Sequence, residues 1–291
     1  MSLSSSVMSK VESRSRRGRV IRGIITVGLI LLSIVMLFPF VFTFTAGLKT
    51  SAEIYKPGLN ILPATAHWEN YQQVWTRLNM LRMFINSFMV TLGGVFFQLL
   101  FSSLAAFSLS RLKPVGHTII MTLLLVTLAI PGIAYIIPLY TTLVRLPVLN
   151  ISLLNSYWGL WLPYSANAFN ILILKNFFDQ IPRDIYDAAA VDGASPLRTF
   201  FTITLPLSRS ILLILGVLSF IALWKDYLLP LLVLRDADLQ PVTVRLFTLV
   251  RDFPRNLQMA AAFIAMLPPL LAAVSLQRFI KGGLTMGGTK G

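Results

Sequence analysis

The sequence predicts an all-α membrane protein, and three observations carry that expectation. The 291 residues are 56% hydrophobic and only 12% charged, with a mean hydropathy of +0.75, far too apolar for a soluble surface of ordinary size. Six segments, near 20–47, 84–110, 117–144, 154–178, 209–234 and 257–279, each supply the roughly twenty apolar residues that cross a bilayer core. None alternates with the two-residue period of a barrel strand. Backbone groups in lipid must be satisfied within the segment, so helices are the expected solution.

Taken in order, residues 1–22 form a basic tail with Lys10, Arg14, Arg16, Arg17, Arg19 and Arg22, and Gly23 to Leu48 follows without a charge. That run is too long for a signal-peptide core and lacks a convincing cleavage site, so it reads as a retained first span. The connection 48–83 holds Pro57, Pro63, His67, Trp68, Tyr71 and Trp75. Such a mix fits either an ordered external cap with an interfacial helix or a loose connection whose rings rest at the headgroups. The next three spans have charge-free cores, and Pro131, Pro138, Pro163 and Pro230 can kink the spans that hold them. Residues 23–281 are read as one six-helix membrane domain, with 282–291 as a C-terminal tail.

The fifth span is interrupted by Lys225 and Asp226. A charge near the centre of a membrane helix costs roughly 2.5–3.5 kcal/mol on insertion scales, so this pair is expected to face protein or a water-filled cavity, to neutralise itself locally, or to snorkel outward. Tyr135, Tyr164, Asn167 and Asn170, with Tyr227 beside the charged pair, are further candidates for a polar path. The plainer reading of each is a satisfied packing or interfacial residue.

Charge sets the expected orientation. With the N-terminus cytoplasmic, the tails and two loops on that side hold about fifteen Lys and Arg against about nine on the other. Both termini are therefore expected in the cytoplasm. The formal net charge of +14 would suggest nucleic acid in a soluble protein, but here the basic residues cluster at the ends of apolar runs, where the positive-inside rule and anionic lipid explain them. The chain has no cysteine and only His67 and His117, far apart. Neither a metal site nor a catalytic residue is expected.

Between two apolar runs lies a polar island, Asp187-Ala188-Ala189-Ala190-Val191-Asp192-Gly193-Ala194. Asp184, Asp187, Ala188 and Val191 recur at helical spacing, and three successive alanines keep the helix thin where another protein approaches. Asp192 and Gly193 supply a turn. Ser195 is a good N-cap, Pro196 suits the first helical position, and Phe200, Phe201 and Ile203 give a second short helix an apolar face up to a stop at Pro206. The result is a helix-turn-helix knob too short to span a bilayer. By itself it fits a brace between membrane helices as well as a docking element.

The whole pattern resembles the membrane subunits of ATP-binding-cassette importers, whose cytoplasmic loop carries Glu-Ala-Ala, then Asp-Gly-Ala and a downstream apolar-Pro, here Leu205-Pro206. The chain departs in having Asp187 where the family has Glu, which keeps the charge and shortens its reach. The C-terminus, Gln277-Arg278-Phe279-Ile280-Lys281-Gly282-Gly283-Leu284-Thr285-Met286-Gly287-Gly288-Thr289-Lys290-Gly291, is similar to the tail of maltose-type permease subunits, as are Ile130-Pro131-Gly132, Ile137-Pro138-Leu139-Tyr140, Ser219-Phe220-Ile221 and Leu229-Pro230-Leu231. The resemblance implies a type I importer fold in a bacterial inner membrane. Within it, 180–208 is the coupling loop, contacting an ATPase through Asp187, Ala188, Ala189, Asp192, Gly193, Ala194 and Pro206. The tail reaches the ATPase through Gly282, Leu284, Thr285, Gly288 and Lys290.

The implied partners are a second permease chain, either a homologous, non-identical chain or a second copy of this one, two ATP-binding subunits that hold ATP and Mg, and an external solute-binding protein; the implied cargo is a carbohydrate. The tail does not itself make a phosphate loop. Gly283 and Gly288 have the right separation, but Thr289 stands where Lys is required and no helix can follow. Related carbohydrate permeases carry an uncharged polar residue where Lys225 sits, so Lys225 points to an anionic cargo such as an acidic oligosaccharide. Non-sugar solutes remain the alternative cargo within this class. Outside it stand an ion-coupled secondary transporter, for which Asp226 is the only available intramembrane carboxylate, and a non-transport scaffold.

Overall fold

The computed structural model describes residues 16–58, 60–249 and 252–283, with side chains over 19–277 of these, and contains no strand among them. The helices are α1 (Arg16–Gly47), α2 (Ser51–Ile54), α3 (Glu69–Arg77), α4 (Met80–Phe107), α5 (His117–Ala129), α6 (Ile136–Val144), α7 (Trp158–Ser165) and α8 (Ala168–Asp179). They continue as α9 (Arg183–Val191), α10 (Pro196–Thr199), α11 (Leu205–Leu207), α12 (Arg209–Lys225), α13 (Leu228–Val233), α14 (Val242–Leu249) and α15 (Arg255–Gly283). Wider π-turns extend α4 over Ser108–Leu112 and join α10 to α11 over Phe200–Thr204.

The expected count of six spans is not confirmed among the described residues. Three helices are long and apolar enough to cross a bilayer, Arg19–Gly47, Met80–Leu112 and Arg255–Gln277. Two more qualify only as bent pairs, His117–Ala129 with Gly132–Val144 at 104° and Pro196–Leu207 with Arg209–Lys225 at 78°. The first bend is at Pro131. Its ring disfavours helical geometry in the residue before it, and Ile130 is extended at φ −84°, ψ 121°. The expected fourth span, 154–178, is split into α7 and α8, three residues beyond Pro163. Pro138 and Pro230 kink nothing, because each is the third residue of its helix, where a missing N–H breaks no intrahelical bond.

The chain forms two compact units, one of residues up to Gln72 with Pro254–Phe263 and one of Gln73–Phe253 with the remainder of α15. In the first unit none of the most apolar window of α1 is buried, as for a helix whose surroundings are lipid or another chain. Its C-terminal end is held firmly. Tyr71 donates to the Phe44 carbonyl at 2.8 Å, and Asn70 Nδ2 donates to the carbonyls of Gly47 and Lys49, each at 2.9 Å. Rings of Trp68, Tyr71 and Phe263 surround Phe44 at centroid distances of 4.9–6.0 Å. Burial pushes the Tyr71 phenol above its ordinary value, and a hydrogen bond from His67 holds the Glu69 carboxyl below its own. The 48–83 connection therefore contains an ordered cap built on α3, which decides between the two sequence readings.

The second unit is arranged around α4. Its uncharged polar side chains, Asn86, Ser87, Thr91, Gln98, Ser102 and Ser103, are buried, whereas Leu81, Leu92, Phe96 and Phe101 are exposed. That inversion is physical for a helix whose outer face meets lipid, since polar groups there must find protein partners. Asn86 Nδ2 donates to the carbonyls of Asp238 at 2.7 Å and Gln240 at 3.1 Å, and Ser87 Oγ accepts from Val242 N at 2.8 Å. A Cβ on Gly93 would overlap the Trp161 indole, so α7 approaches α4 only because that side chain is missing. Near this end Val90 packs with Leu143, Leu160, Leu229 and Val233. At the other end, Ala106 and Phe107 pack with Leu174, Phe178, Phe200 and Leu215.

Candidate coupling helix pair and the polar helix break

The polar island folds as two short helices joined by a tight turn. α9 ends in a Schellman arrangement: Gly193 N donates to Ala190 O at 3.0 Å and Ala194 N to Ala189 O at 2.9 Å. Gly193 has φ +70°, the left-handed geometry this closure needs. Ser195 Oγ then caps α10 by accepting from Arg198 N, with Pro196 at the first helical position. The second helix runs without a break over Pro196–Leu207 and ends one residue past the stop expected at Pro206. Pro206 follows the wider π-turn, and the chain turns at Ser208 before α12.

Three side chains tie this pair to the membrane helices. Phe200, fully buried, packs on Phe107 with ring centroids 5.4 Å apart. Tyr186 meets Thr204 Oγ1 at 3.2 Å, linking the two short helices. Arg111, from the end of α4, donates to the carbonyls of Phe178 and Ile181 and lies 4.0 Å from the centre of the Tyr186 ring. The guanidinium thereby caps the end of α8 and stacks on α9 at once. Arg111, Tyr186 and Thr204 were missed from sequence. The only signal was a basic residue at the end of a span, which reads as ordinary charge bias.

What the pair leaves facing out is as informative as its anchors. Asp187, Ala188, Asp192 and Pro206 are exposed, while Ala189 is buried and Ala194 half-buried. Val191, Leu197 and Phe201 are 88%, 63% and 52% exposed. Of the apolar face expected on the second helix, Phe200 faces the core but Phe201 faces outward. The pair thus presents apolar side chains beside carboxylates, a composition suited to a protein partner.

The other candidates separate. Tyr164 donates to Asp226 Oδ2 at 2.6 Å, Asn167 caps α8 by accepting from Asn170 N at 2.9 Å, and Asn170 donates to Ser219 Oγ at 3.2 Å. Two helix breaks, α7/α8 and α12/α13, are therefore bound together by polar side chains. Lys225 is not near the centre of a helix. It is the last residue of α12, and Asp226 is its extended C-cap at ψ 130°. Lys225 is exposed and makes no ion pair with Asp226, whose carboxylate is turned to Tyr164. Tyr227 packs on Phe247, centroids 4.8 Å apart, and Tyr135 is 51% exposed in the turn before α6. Gly282, the first residue of the expected tail, lies in the last turn of α15, which runs two residues into that tail, whereas Leu284, Thr285, Gly288 and Lys290 lie outside the described residues.

Helices long and apolar enough to cross a membrane, with a short exposed helix pair between them, fit the permease subunit of an ABC importer. Residues 98–285 match the family described as binding-protein-dependent transport system inner membrane component, and the chain belongs to that family. It is 32% identical over 266 residues to the sn-glycerol-3-phosphate transport system permease protein UgpE of Brucella melitensis, covering 87% of this chain and 93% of the relative. It is 31% identical over 265 residues to the diacetylchitobiose uptake system permease protein NgcG of Streptomyces coelicolor, covering 89% and 86%. A chain in the crystal structure of a bacterial ABC transporter involved in import of the acidic polysaccharide alginate superposes with a TM-score of 0.78 at 22% identity, over 91% of this chain and 98% of that one. A second, from the alginate transporter in complex with a pentasaccharide-bound periplasmic protein, gives 0.60 at 14% identity, over 90% and 94%.

Proposed function

We propose that the chain forms one half of a carbohydrate pathway through a bacterial inner membrane and passes the work of ATP to it through the 183–207 helix pair. The observation that carries this reading is the pair itself, rigidly fastened by Phe200, Tyr186 and Arg111 and exposing Val191, Leu197, Phe201, Asp187 and Asp192. ATP and Mg are held by two partner ATPase subunits, a second permease chain completes the pore, and an external binding protein delivers cargo. Both termini and the helix pair lie on the cytoplasmic side, a reading supported by the bias of Lys and Arg. Closure of the ATPases moves the pair as one body, and α12 and α8, joined to it, reopen the pathway in alternation.

Purifying the chain from its native membrane under mild detergent tests the class. An ATPase bearing a phosphate-binding loop is expected to come with it. A chain that arrives alone, from membranes where such an ATPase is present, overturns the reading. An ion-coupled carrier is disfavoured on a specific ground: its one candidate intramembrane carboxylate, Asp226, is already engaged by Tyr164.

The cargo we propose is anionic. Lys225 is an exposed cation without a carboxylate partner, beside the break at Asp226. Two of the similar proteins are named for anionic cargo, glycerol phosphate and alginate, and a third for a neutral disaccharide. Lys225→Asn is expected to lower uptake of an acidic oligosaccharide about tenfold, the loss of one charge-assisted contact, while leaving a neutral one unaffected. Equal uptake of the acidic sugar by both forms would sink the assignment.

A further inference from the structure

Beside the helix pair lies a cavity of about 380 Å³ whose walls include Arg111, Lys113, His117, Lys175, Asp179 and Arg183. It sits in the turn between the candidate span Met80–Leu112 and the bent pair that starts at His117, which is headgroup depth for any bilayer those helices cross. Four permanent cations there face a single carboxylate. Asp179 is already satisfied, by Lys175 Nζ at 2.6 Å and Ser110 Oγ at 2.7 Å. Burial would raise its carboxyl, but the hydrogen bonds and charges of Lys175, Ser110 and Arg111 outweigh that and hold it low. Arg111 is committed to two carbonyls and the Tyr186 ring, yet its Nε is buried without an acceptor.

Lys113 and Arg183 are different. Both are exposed, and neither forms an ion pair among the described residues. α5 also begins at the cavity, with no acidic residue in its first turn and no side-chain cap. Its positive end adds to the side-chain charge.

The cavity opens onto an apolar track. From Met121 on its wall, Leu125 and Leu128 follow at i+4 and i+7 along the same face of α5, exposed at 56% and 49%, and no residue of α5 is buried. A soluble anion gains nothing from such a surface, whereas a lipid uses both parts. We propose that this cavity binds the phosphate headgroup of an anionic phospholipid, with its acyl chains lying along Met121, Leu125 and Leu128. Cationic cavities between spans attract such headgroups electrostatically. A lipid held there touches Arg183, the first residue of α9, and so lies against the helix pair.

Native mass spectrometry of the full-length chain, with whatever subunits stay bound, tests this against phosphatidylglycerol, phosphatidylcholine and inorganic phosphate. Phosphatidylglycerol is expected to be retained at least about tenfold more tightly than phosphatidylcholine. Lys113→Gln with Arg183→Gln should remove about tenfold of that preference, and Lys113→Arg with Arg183→Lys should keep it. If the double variant fails to fold, Lys113→Gln alone, on an exposed turn, should show about a threefold loss. Equal retention of the two lipids, or a neutralised variant that binds as the parent does, overturns the proposal. So does inorganic phosphate competing as well as the lipid, since that would make the site one for a soluble anion.

Discussion

Replacing Gly193 with isoleucine is expected to abolish most transport and most cargo-stimulated ATP hydrolysis while leaving the chain inserted in the membrane. The cause is conformational alone. A Cβ at Gly193 would meet nothing within 4 Å, but the residue holds φ +70°, which costs an ordinary L-residue about 1–2 kcal/mol and a β-branched one more. The strain is relieved by opening the turn, which breaks the bonds from Gly193 N to Ala190 O and from Ala194 N to Ala189 O. α9 and α10 then lose their fixed angle, and a push on one no longer moves the other as a rigid body. Asparagine, which tolerates left-handed geometry, should retain most activity. Full transport by the isoleucine variant would show that the turn is not part of the coupling path.

Phe200→Ala and Phe201→Ala should fail in opposite ways although the residues are neighbours. Phe200 has 0% of its surface exposed, in the cluster formed by Ala106, Phe107, Leu174, Phe178 and Leu215. Its removal leaves a cavity and costs about 3–5 kcal/mol of stability on the scale of core truncations. The melting temperature in detergent should fall sharply, and ATPase turnover in the assembled importer should stop responding to cargo. Phe201 is 52% exposed and covers no core. Its truncation should leave melting within about 0.5 kcal/mol of the parent while weakening association with the ATPase. Two variants with equal stability would contradict the division of the helix into an inner and an outer face.

Much of this architecture was legible in the chain because hydrophobicity and caps are local properties. The composition and the apolar runs established an all-helical membrane fold, and Gly193, Ser195 and Pro196 announced the helix pair, since each satisfies a backbone requirement of its own turn. The apolar runs did not separate a straight span from a broken one. Hydropathy is blind to the angle at Pro131 and to the split at Ala166–Asn167, which depend on whether a proline interrupts an established helix or falls in its first turn. For the same reason Lys225 looked mid-span but ends a helix.

The sequence by itself determined the all-helical membrane fold, the place of the helix pair and its turn, all set by short-range backbone chemistry and by the free energy of burying apolar surface in lipid. Only the tertiary structure decided what holds that pair in place. Arg111 reaches Ile181 across 70 positions of chain, and Tyr164 reaches Asp226 across 62. Side chains that far apart meet only once the helices have packed, because packing fixes which polar groups are left to satisfy one another. The same packing gathered Lys113, Lys175 and Arg183 around one cavity, turning separate basic residues that had counted only toward orientation into a site.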